Sequence, residues 1–309
     1  MGALHLTDLT DVAAANGGIL RRQHLNACGL TPNRILELMA EGSLARVHRD
    51  AYRIPSEDEH PLTTFHASVT ALRWRDPTRI LTGPAALSVL GIPVFGEPRT
   101  LHVATDRRGG SSARSLVSTV AAPPADQVIT SDGTLVAAPA RAALDTARLH
   151  SLVAGVVAAD HALRTGLTTP EELTRVAERM GPVRGAALVR LCCQLASPQS
   201  ESPGESWSAV VMHQNGIPTP ERQAVFTDAK GFIGRVDFWW PGARVVGEFD
   251  GRVKYGRANP SGRPPEDVLW DEKLREDRLR AADAAVVRWT TADLRHPKHW
   301  IERLRAALA

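Results

Sequence analysis

The chain has 309 residues, of which 43% are hydrophobic and 23% are charged, and its formal net charge is +3. One hydrophobic core rarely extends over this length, so we expect two or three domains. The composition is typical of a folded globular protein and excludes a disordered or fibrous chain. The small positive charge is compatible with a polyanionic partner but does not require one.

The three cysteines, Cys28, Cys192 and Cys193, are too few for a disulfide framework, and none has the spacing of a metal-ligand motif. We expect them to be reduced. Residues 1–11 carry acids where a secretory signal carries bases, and the longest apolar run, residues 152–159, is too short to span a membrane. The sequence therefore predicts a cytoplasmic protein without a membrane partner.

Residues 1–56 are predicted to form a winged helix-turn-helix. Apolar spacing and terminal glycines indicate three short helices, the third over residues 31–41, and residues 44–55 alternate like a hairpin. In such a unit the third helix enters the major groove and the hairpin, the wing, faces phosphates. The residues expected to contact nucleic acid lie at the start of that helix and on the wing: Asn33, Arg34, Arg46, Arg49 and Arg53. The alternative is a small unit that packs on its neighbour, with these charges on a solvated face.

Residues 57–197 are predicted to form a mixed α/β middle domain. Helices are expected at residues 63–73 and 84–90 and in a run of four between residues 139 and 195, with short strands at 100–104, 128–129 and 134–137. Asp145 and Asp160 fall on helices, where capping and surface pairing are the expected roles. Residues 196–204 are rich in serine and proline, as is typical of a linker.

Residues 205–309 show a helix, three strands, a helix at 267–282 and a strand at 285–290. The turn residues Pro241 and Gly242 predict a hairpin between the second and third strands, 235–240 and 244–250. This turn brings Asp237 beside Glu248 and Asp250, which are two residues apart and therefore share a sheet face.

Three carboxylates on one face repel one another unless a cation lies between them. We therefore predict that Asp237, Glu248 and Asp250 bind Mg²⁺ or Mn²⁺, which would polarise a phosphodiester. The alternative is a sheet edge with solvated acids and no metal. Lys254 is expected to stabilise charge on the phosphate. Arg235, Arg244 and Arg252 surround the site with positive charge that suits a nucleic-acid backbone, and Arg235 and Arg252 are the predicted contacts.

Two segments of this C-terminal part, Arg-Val-Asp-Phe at residues 235–238 and Glu-Phe-Asp-Gly-Arg-Val-Lys at residues 248–254, resemble the PD-(D/E)XK nuclease superfamily. The branch related to very-short-patch repair endonucleases is the most similar. The resemblance covers about a third of the chain and implies a restriction-endonuclease-like αβββαβ domain. It implies Asp237 and Glu248 as metal ligands and Glu205 as an accessory catalytic acid. Asp250 stands where the family has a lysine, so Lys254 would have to reach back from a later position.

The front of the chain has a second resemblance. Residues 11–54 are similar to the winged N-terminal domain of AbiEi-type antitoxins, the repressor half of type IV toxin-antitoxin pairs. Residues 82–93, Thr-Gly-Pro-Ala-Ala-Leu-Ser-Val-Leu-Gly-Ile-Pro, are similar to the stretch that follows this domain in such proteins. The resemblance implies a cognate toxin protein as a partner.

Two functions follow from these patterns. The leading hypothesis is a DNA-binding protein whose C-terminal domain is a metal-dependent endonuclease that hydrolyses phosphodiester bonds. The alternative is a non-catalytic transcriptional regulator, the antitoxin of a type IV toxin-antitoxin system; a structural adaptor is a third, weaker reading. The candidate partners are nucleic acid, DNA in the first place, the cognate toxin, and a second copy of the chain in a homodimer.

Overall fold

The computed structural model describes residues 6–56, 60, 62–105, 117–251, 274, 278–279 and 284–309. Within these ranges the chain is a mixed α+β protein with three sheets and twelve α-helices. All three cysteines are free, as expected. A search of the described helices finds none with the length and apolar character that a bilayer crossing needs. The predicted helix over residues 267–282 lies mostly outside the described residues. Arg252 and Lys254 also lie outside them.

The N-terminal unit has three helices and a three-stranded antiparallel sheet in the order β1-β3-β2. A side-chain cap fixes the start of the third helix, because Thr31 accepts a hydrogen bond from the backbone N–H of Arg34. The predicted helices and wing are confirmed in their order, and the two-residue strand β1 was not predicted. The elements are α1 (Leu6–Ala15), β1 (Leu20–Arg21), α2 (Arg22–Ala27), α3 (Pro32–Ala40), β2 (Ala45–His48) and β3 (Ala51–Arg53).

The wing rests on the first helix of the middle region, α4 (Thr63–Arg75). Val47 and Ala51 of the hairpin pack against Ala67 and Ala71 of α4 in one small buried cluster. This packing continues the winged unit into the middle region, so side chains of α4 lie beside the wing.

The middle region builds one core from α4 to α9 and a five-stranded sheet in the order β6-β5-β4-β8-β7. The predicted helices are confirmed, whereas β4 and β6 were not predicted. After α4 the elements are β4 (Ile80–Thr82), α5 (Pro84–Leu90), β5 (Leu101–Thr105), β6 (Val117–Ala121), a 3₁₀ turn (Ala125–Gln127), β7 (Val128–Ser131), β8 (Thr134–Ala137), α6 (Pro139–Leu149), α7 (Leu152–Arg164), α8 (Pro170–Met180) and α9 (Ala186–Leu195).

Asp145 lies in a buried charge network. Its carboxylate accepts hydrogen bonds from Arg141 at 2.9 Å, from Arg148 at 2.6 Å and from the hydroxyl of Thr82. The expected surface pairing of Asp145 and Asp160 is therefore wrong, since both side chains are buried. The physical reason is that α6 and α7 are rich in alanine and buried on nearly all sides, so their charged residues must find partners inside the protein.

The serine-rich segment after α9 is hydrogen-bonded to α7 and to the following sheet. Asp160 accepts hydrogen bonds from the backbone N–H of Ser197 and from the hydroxyl of Ser206, each at 2.7 Å. Arg222 lies 3.7 Å from the same carboxylate and donates to Ser200 at 2.8 Å and to the carbonyl of Leu195 at 2.9 Å. The segment predicted as a linker thus joins the two regions through partly buried polar contacts.

The C-terminal unit has a four-stranded sheet in the order β12-β11-β10-β9, with β11 and β12 parallel and the other pairs antiparallel. The predicted strands are confirmed. Helix α10 contributes Val210 to the middle core and Val211 to the C-terminal core, so the two cores share this helix. The elements are α10 (Pro203–Gln214), β9 (Glu221–Asp228), β10 (Gly231–Trp240), β11 (Val245–Asp250), β12 (Ala285–Thr290), α11 (Thr291–Arg295) and α12 (Lys298–Leu308).

Tryptophans fill the centre of the C-terminal core. Trp289 stacks on Trp300 with ring centroids 4.7 Å apart and donates a hydrogen bond to Ser208 at 2.7 Å. Gly247 lies against the Trp289 ring, where an added Cβ would meet a ring carbon at 2.7 Å. The glycine in β11 is therefore required by the aromatic packing, and this packing fixes the strand that carries Glu248.

Candidate nucleic-acid interface and acidic strand cluster

The exposed face of α3 is not basic. Asn33 and Arg34 are exposed near the helix start, as predicted. Arg34 pairs with Glu37 at 2.9 Å and with Glu41 at 3.0 Å, and hydrogen bonds to these carboxylates raise the pKa of its guanidinium. Leu36 on the same face is 63% exposed. The arginine predicted to contact DNA is thus held by two carboxylates of its own helix.

The wing carries the charges that the sequence predicts. Arg46 and Arg49 are exposed, whereas Arg53 is half-buried and donates a hydrogen bond to Thr64 at 3.1 Å. Burial lowers the pKa of His48, and the nearby Arg75 guanidinium lowers it further, so both disfavour the charged imidazolium. The permanent charge of the wing therefore comes from its arginines.

Three basic residues near the wing were missed by sequence reasoning. Arg21, Arg22 and Arg75 line an open cleft of about 500 Å³ together with Arg49. We call it the arginine cleft; Trp74 also lines it. The adjacent pair Arg21-Arg22 is visible in the sequence, but Arg75 joins it only because α4 packs under the wing.

The acidic residues of the C-terminal sheet come together as predicted. Asp237 lies on β10, and its carboxylate accepts a hydrogen bond from the backbone N–H of Phe249 on β11 at 2.9 Å. Glu248 is therefore next to Asp237, and it accepts a hydrogen bond from Arg288 on β12 at 3.1 Å. Asp250 is half-buried at the end of β11.

Glu205 has a structural role at the start of α10. Its carboxylate accepts hydrogen bonds from the Ser202 hydroxyl at 2.7 Å, from the backbone N–H of Glu201 at 2.9 Å and from the Gln223 amide at 2.9 Å. Ser202 accepts in return from the N–H of Glu205 at 3.2 Å. This reciprocal arrangement caps the helix and occupies the oxygens of Glu205.

Two of the predicted metal ligands have protein partners in the described part of the chain. No group of three histidine, cysteine, aspartate or glutamate side chains in the described part of the chain is arranged to hold a metal ion. Glu248 has a guanidinium partner, and Asp237 accepts from the backbone. Arg235, expected to bind nucleic acid, pairs with Glu201. The catalytic, metal-binding and nucleic-acid-binding roles of these residues stay predictions. Arg252, expected to bind nucleic acid, and Lys254, expected to act in catalysis, lie outside the described residues.

Parts of this chain are similar to known proteins. Two uncharacterized proteins of Mycobacterium tuberculosis, from the CDC 1551 / Oshkosh and the ATCC 25618 / H37Rv strains, are each 34% identical over 119 residues. The match covers 38% of this chain and 44% of each relative, so the chain spans less than half the length of these relatives. The crystal structure of the RV2827C protein from the same organism has a TM-score of 0.38 and 15% identity, over 66% of this chain and 80% of that chain. That likeness is too low to assign a fold.

Two family models match the chain and agree with its structural units. Residues 8–55, the winged unit, match the family described as "Transcriptional regulator, AbiEi antitoxin". Residues 82–192, which run from the end of β4 through most of α9, match the "AbiEi antitoxin C-terminal domain". The chain therefore carries the N-terminal and the C-terminal domain of the AbiEi antitoxins, in that order, ahead of a third unit with its own sheet and core.

Proposed function

We propose that the protein is a DNA-binding transcriptional regulator of the antitoxin type, which binds DNA through its winged unit and acts with a cognate toxin protein. The observation that carries the proposal is a winged unit, matched over residues 8–55 by a transcriptional-regulator family, whose wing exposes Arg46 and Arg49. The second antitoxin domain in the same chain, residues 82–192, supports the toxin as a partner.

Most of the binding free energy is expected from the wing and not from α3. Exposed arginines bind phosphates and release counterions, which gives affinity without sequence information. Arg34 must leave Glu37 and Glu41 before it contacts a base, and this exchange reduces its net contribution. Recognition of the DNA sequence would then depend on Asn33 and on the shape of the DNA groove.

A binding titration tests this proposal. The full-length protein is titrated into duplex DNA from upstream of its own gene and into an unrelated duplex of equal length. We expect tighter binding to the upstream duplex. The variant Arg46→Gln/Arg49→Gln should weaken binding to both by about tenfold or more and make the salt dependence shallower. The matched control Arg164→Gln/Arg175→Gln removes two exposed arginines from α7 and α8 and should change neither property. Equal binding to both duplexes would argue against a regulator.

The competing hypothesis is phosphodiester hydrolysis at the C-terminal sheet. The observation in its favour is that Asp237 and Glu248 lie next to each other on neighbouring strands. It predicts that a supercoiled plasmid is nicked in Mg²⁺ or Mn²⁺ and that Glu248→Ala abolishes the nicking. The regulator proposal predicts no nicking and DNA binding that is unchanged in Asp237→Ala.

A further inference from the structure

We propose that the arginine cleft binds the phosphate backbone of DNA. The inference rests on the proposed function and extends its binding surface beyond the wing, to the start of α2 within the winged unit and to Arg75 of α4 in the middle region. The ligand chemistry is a phosphodiester, and the source to which we commit is double-stranded DNA.

The first support is uncompensated charge. Four guanidinium groups line the cleft, and Asp50 is its single carboxylate among the lining residues. Asp50 lies 3.8 Å from Arg49, and both side chains are mostly exposed, so this ion pair is weak. Within the described residues, no carboxylate lies within ion-pair distance of the other three arginines. Clustered like charges raise the free energy of the protein until an anion binds between them.

The second support is that neighbouring side chains hold these guanidinium groups in place. Arg21 lies over the ring of Trp74, with 4.4 Å between its central carbon and the ring centroid. One guanidinium nitrogen of Arg75 is 3.4 Å from Nδ1 of His48. Stacking uses the face of a guanidinium and leaves its N–H groups in the plane to donate to a phosphate. Less rotamer entropy is then lost when the anion binds.

The third support is the contrast with α3. Arg34, Glu37 and Glu41 give its exposed face more negative than positive charge. The cleft has the opposite balance, and Gln23 and Asn26 at its edge add neutral hydrogen-bond donors of the kind that contact phosphates. Arginines without a close carboxylate partner are therefore grouped beside α2 and the wing turn.

The test removes charge from the cleft without touching the wing residues tested above. Full-length Arg22→Gln/Arg75→Gln protein is titrated by fluorescence anisotropy into a labelled mixed-sequence duplex of about three helical turns, over a range of salt concentrations. We expect a Kd at least about tenfold higher than that of the wild type. The slope of log K against log salt should be shallower by about two, because each lost phosphate contact contributes about 0.9. Arg22→Lys/Arg75→Lys, which keeps both charges, should retain the wild-type slope.

Controls distinguish DNA binding at the cleft from an effect of net charge and from binding of free phosphate. Arg164→Gln/Arg175→Gln changes the net charge equally and should bind like the wild type. Arg75→Gln alone changes one exposed side chain, so it reports on the cleft even if the double variant folds poorly. Inorganic phosphate, compared with chloride at equal ionic strength, should displace the duplex only weakly.

Three outcomes would overturn the inference. If the wild type binds duplex and the cleft variants bind it with unchanged Kd and slope, the cleft is not the phosphate site, although the proposed function stands. If inorganic phosphate saturates the cleft and the duplex is bound elsewhere, the ligand is the free ion. If the folded wild type binds no duplex at low salt, the proposed function fails and the inference fails with it.

Discussion

Arg288 on β12 donates a hydrogen bond from Nε to Oε2 of Glu248 on β11, with 3.1 Å between the two atoms. The two residues occupy paired positions of the parallel strands, so the contact is fixed by strand register. The side chain of Glu248 is 12% exposed, and its charge is therefore balanced in a partly shielded site. A carboxylate with this partner does not need a metal ion for charge compensation.

The first prediction concerns metal binding. A metal at 100 times its Kd would stabilise the unit by about 2.7 kcal/mol, which a melting curve would show. Because Glu248 already pairs with Arg288, we expect Mg²⁺ and Mn²⁺ to leave Tm unchanged in both wild type and Glu248→Gln. The measurement is thermal unfolding followed by tryptophan fluorescence. A metal-dependent rise in Tm of the wild type that Glu248→Gln removes would support the nuclease hypothesis instead.

The second prediction tests the tryptophan packing under the acidic strand. Gly247→Ala should destabilise the C-terminal unit by about 2 kcal/mol, because the new methyl group overlaps Trp289. Gly242→Ala is the matched control, since an added Cβ there meets nothing within 4 Å. Urea unfolding monitored by tryptophan fluorescence compares the two. Equal stability of the two variants would contradict the packing described here.

The third prediction concerns the junction between the middle region and the C-terminal sheet. Asp160→Ala should cost about 3 kcal/mol, because it leaves the partly buried Arg222 without its carboxylate and Ser197 without its acceptor. Limited proteolysis should then cut residues 196–204 faster. The control Asp126→Ala, which removes an exposed partner of Arg179, should not change the cleavage rate. Unchanged cleavage in Asp160→Ala would mean that other contacts hold the segment.

The fourth prediction is a pH dependence of the same contact. Burial raises the pKa of Asp160 from 3.8 to about 6, and burial also lowers the pKa of its partner Arg222, so desolvation outweighs the attraction between the two charges. The folded state therefore binds a proton more tightly than the unfolded state. This stabilisation is fully present below 3.8 and is lost as the pH rises through about 6. The slope of unfolding free energy against pH in this window should become less negative in Asp160→Asn, and an identical slope would contradict the assignment.

The fifth prediction tests whether α3 approaches DNA. Glu37→Gln/Glu41→Gln removes two carboxylates from its exposed face and releases Arg34, so DNA affinity should rise about three- to tenfold at low salt. Glu171→Gln/Glu172→Gln on α8 changes the net charge by the same amount and serves as the control. An equal rise in both variants would show an effect of net charge alone, and α3 would then lie away from the DNA.

Local patterns in the sequence were sufficient to predict most of the elements. Proline at the first helical position and glycine after the last identify α5, and the turn at Pro241 predicts that Asp237 lies beside Glu248. The strand β4 was missed because it is three residues long and shows no alternation. Asp145 was wrongly predicted to pair at the surface. The four-residue spacing between Arg141 and Asp145 is the same in an exposed ion pair and in a buried network, so the sequence does not distinguish them.

The parts of the candidate sites that escaped prediction depend on contacts between distant residues. Arg288 follows Glu248 by forty residues, and only the parallel pairing of β11 and β12 brings them together. Arg75 reaches the arginine cleft because α4 packs under the wing, and the periodicity of α4 does not indicate this arrangement. Hydrophobic periodicity gives the faces of single elements, whereas charge partners across elements depend on how the elements pack.

The central claim is that the winged unit makes this chain a DNA-binding regulator. The most direct measurement is a mobility-shift titration of the full-length protein with duplex DNA from upstream of its own gene, run with and without Mg²⁺. We predict an intact, retarded duplex in both conditions, which unlabelled upstream DNA displaces better than unrelated DNA. A folded protein that retards no duplex, or a duplex that is cleaved when Mg²⁺ is added, would contradict the claim.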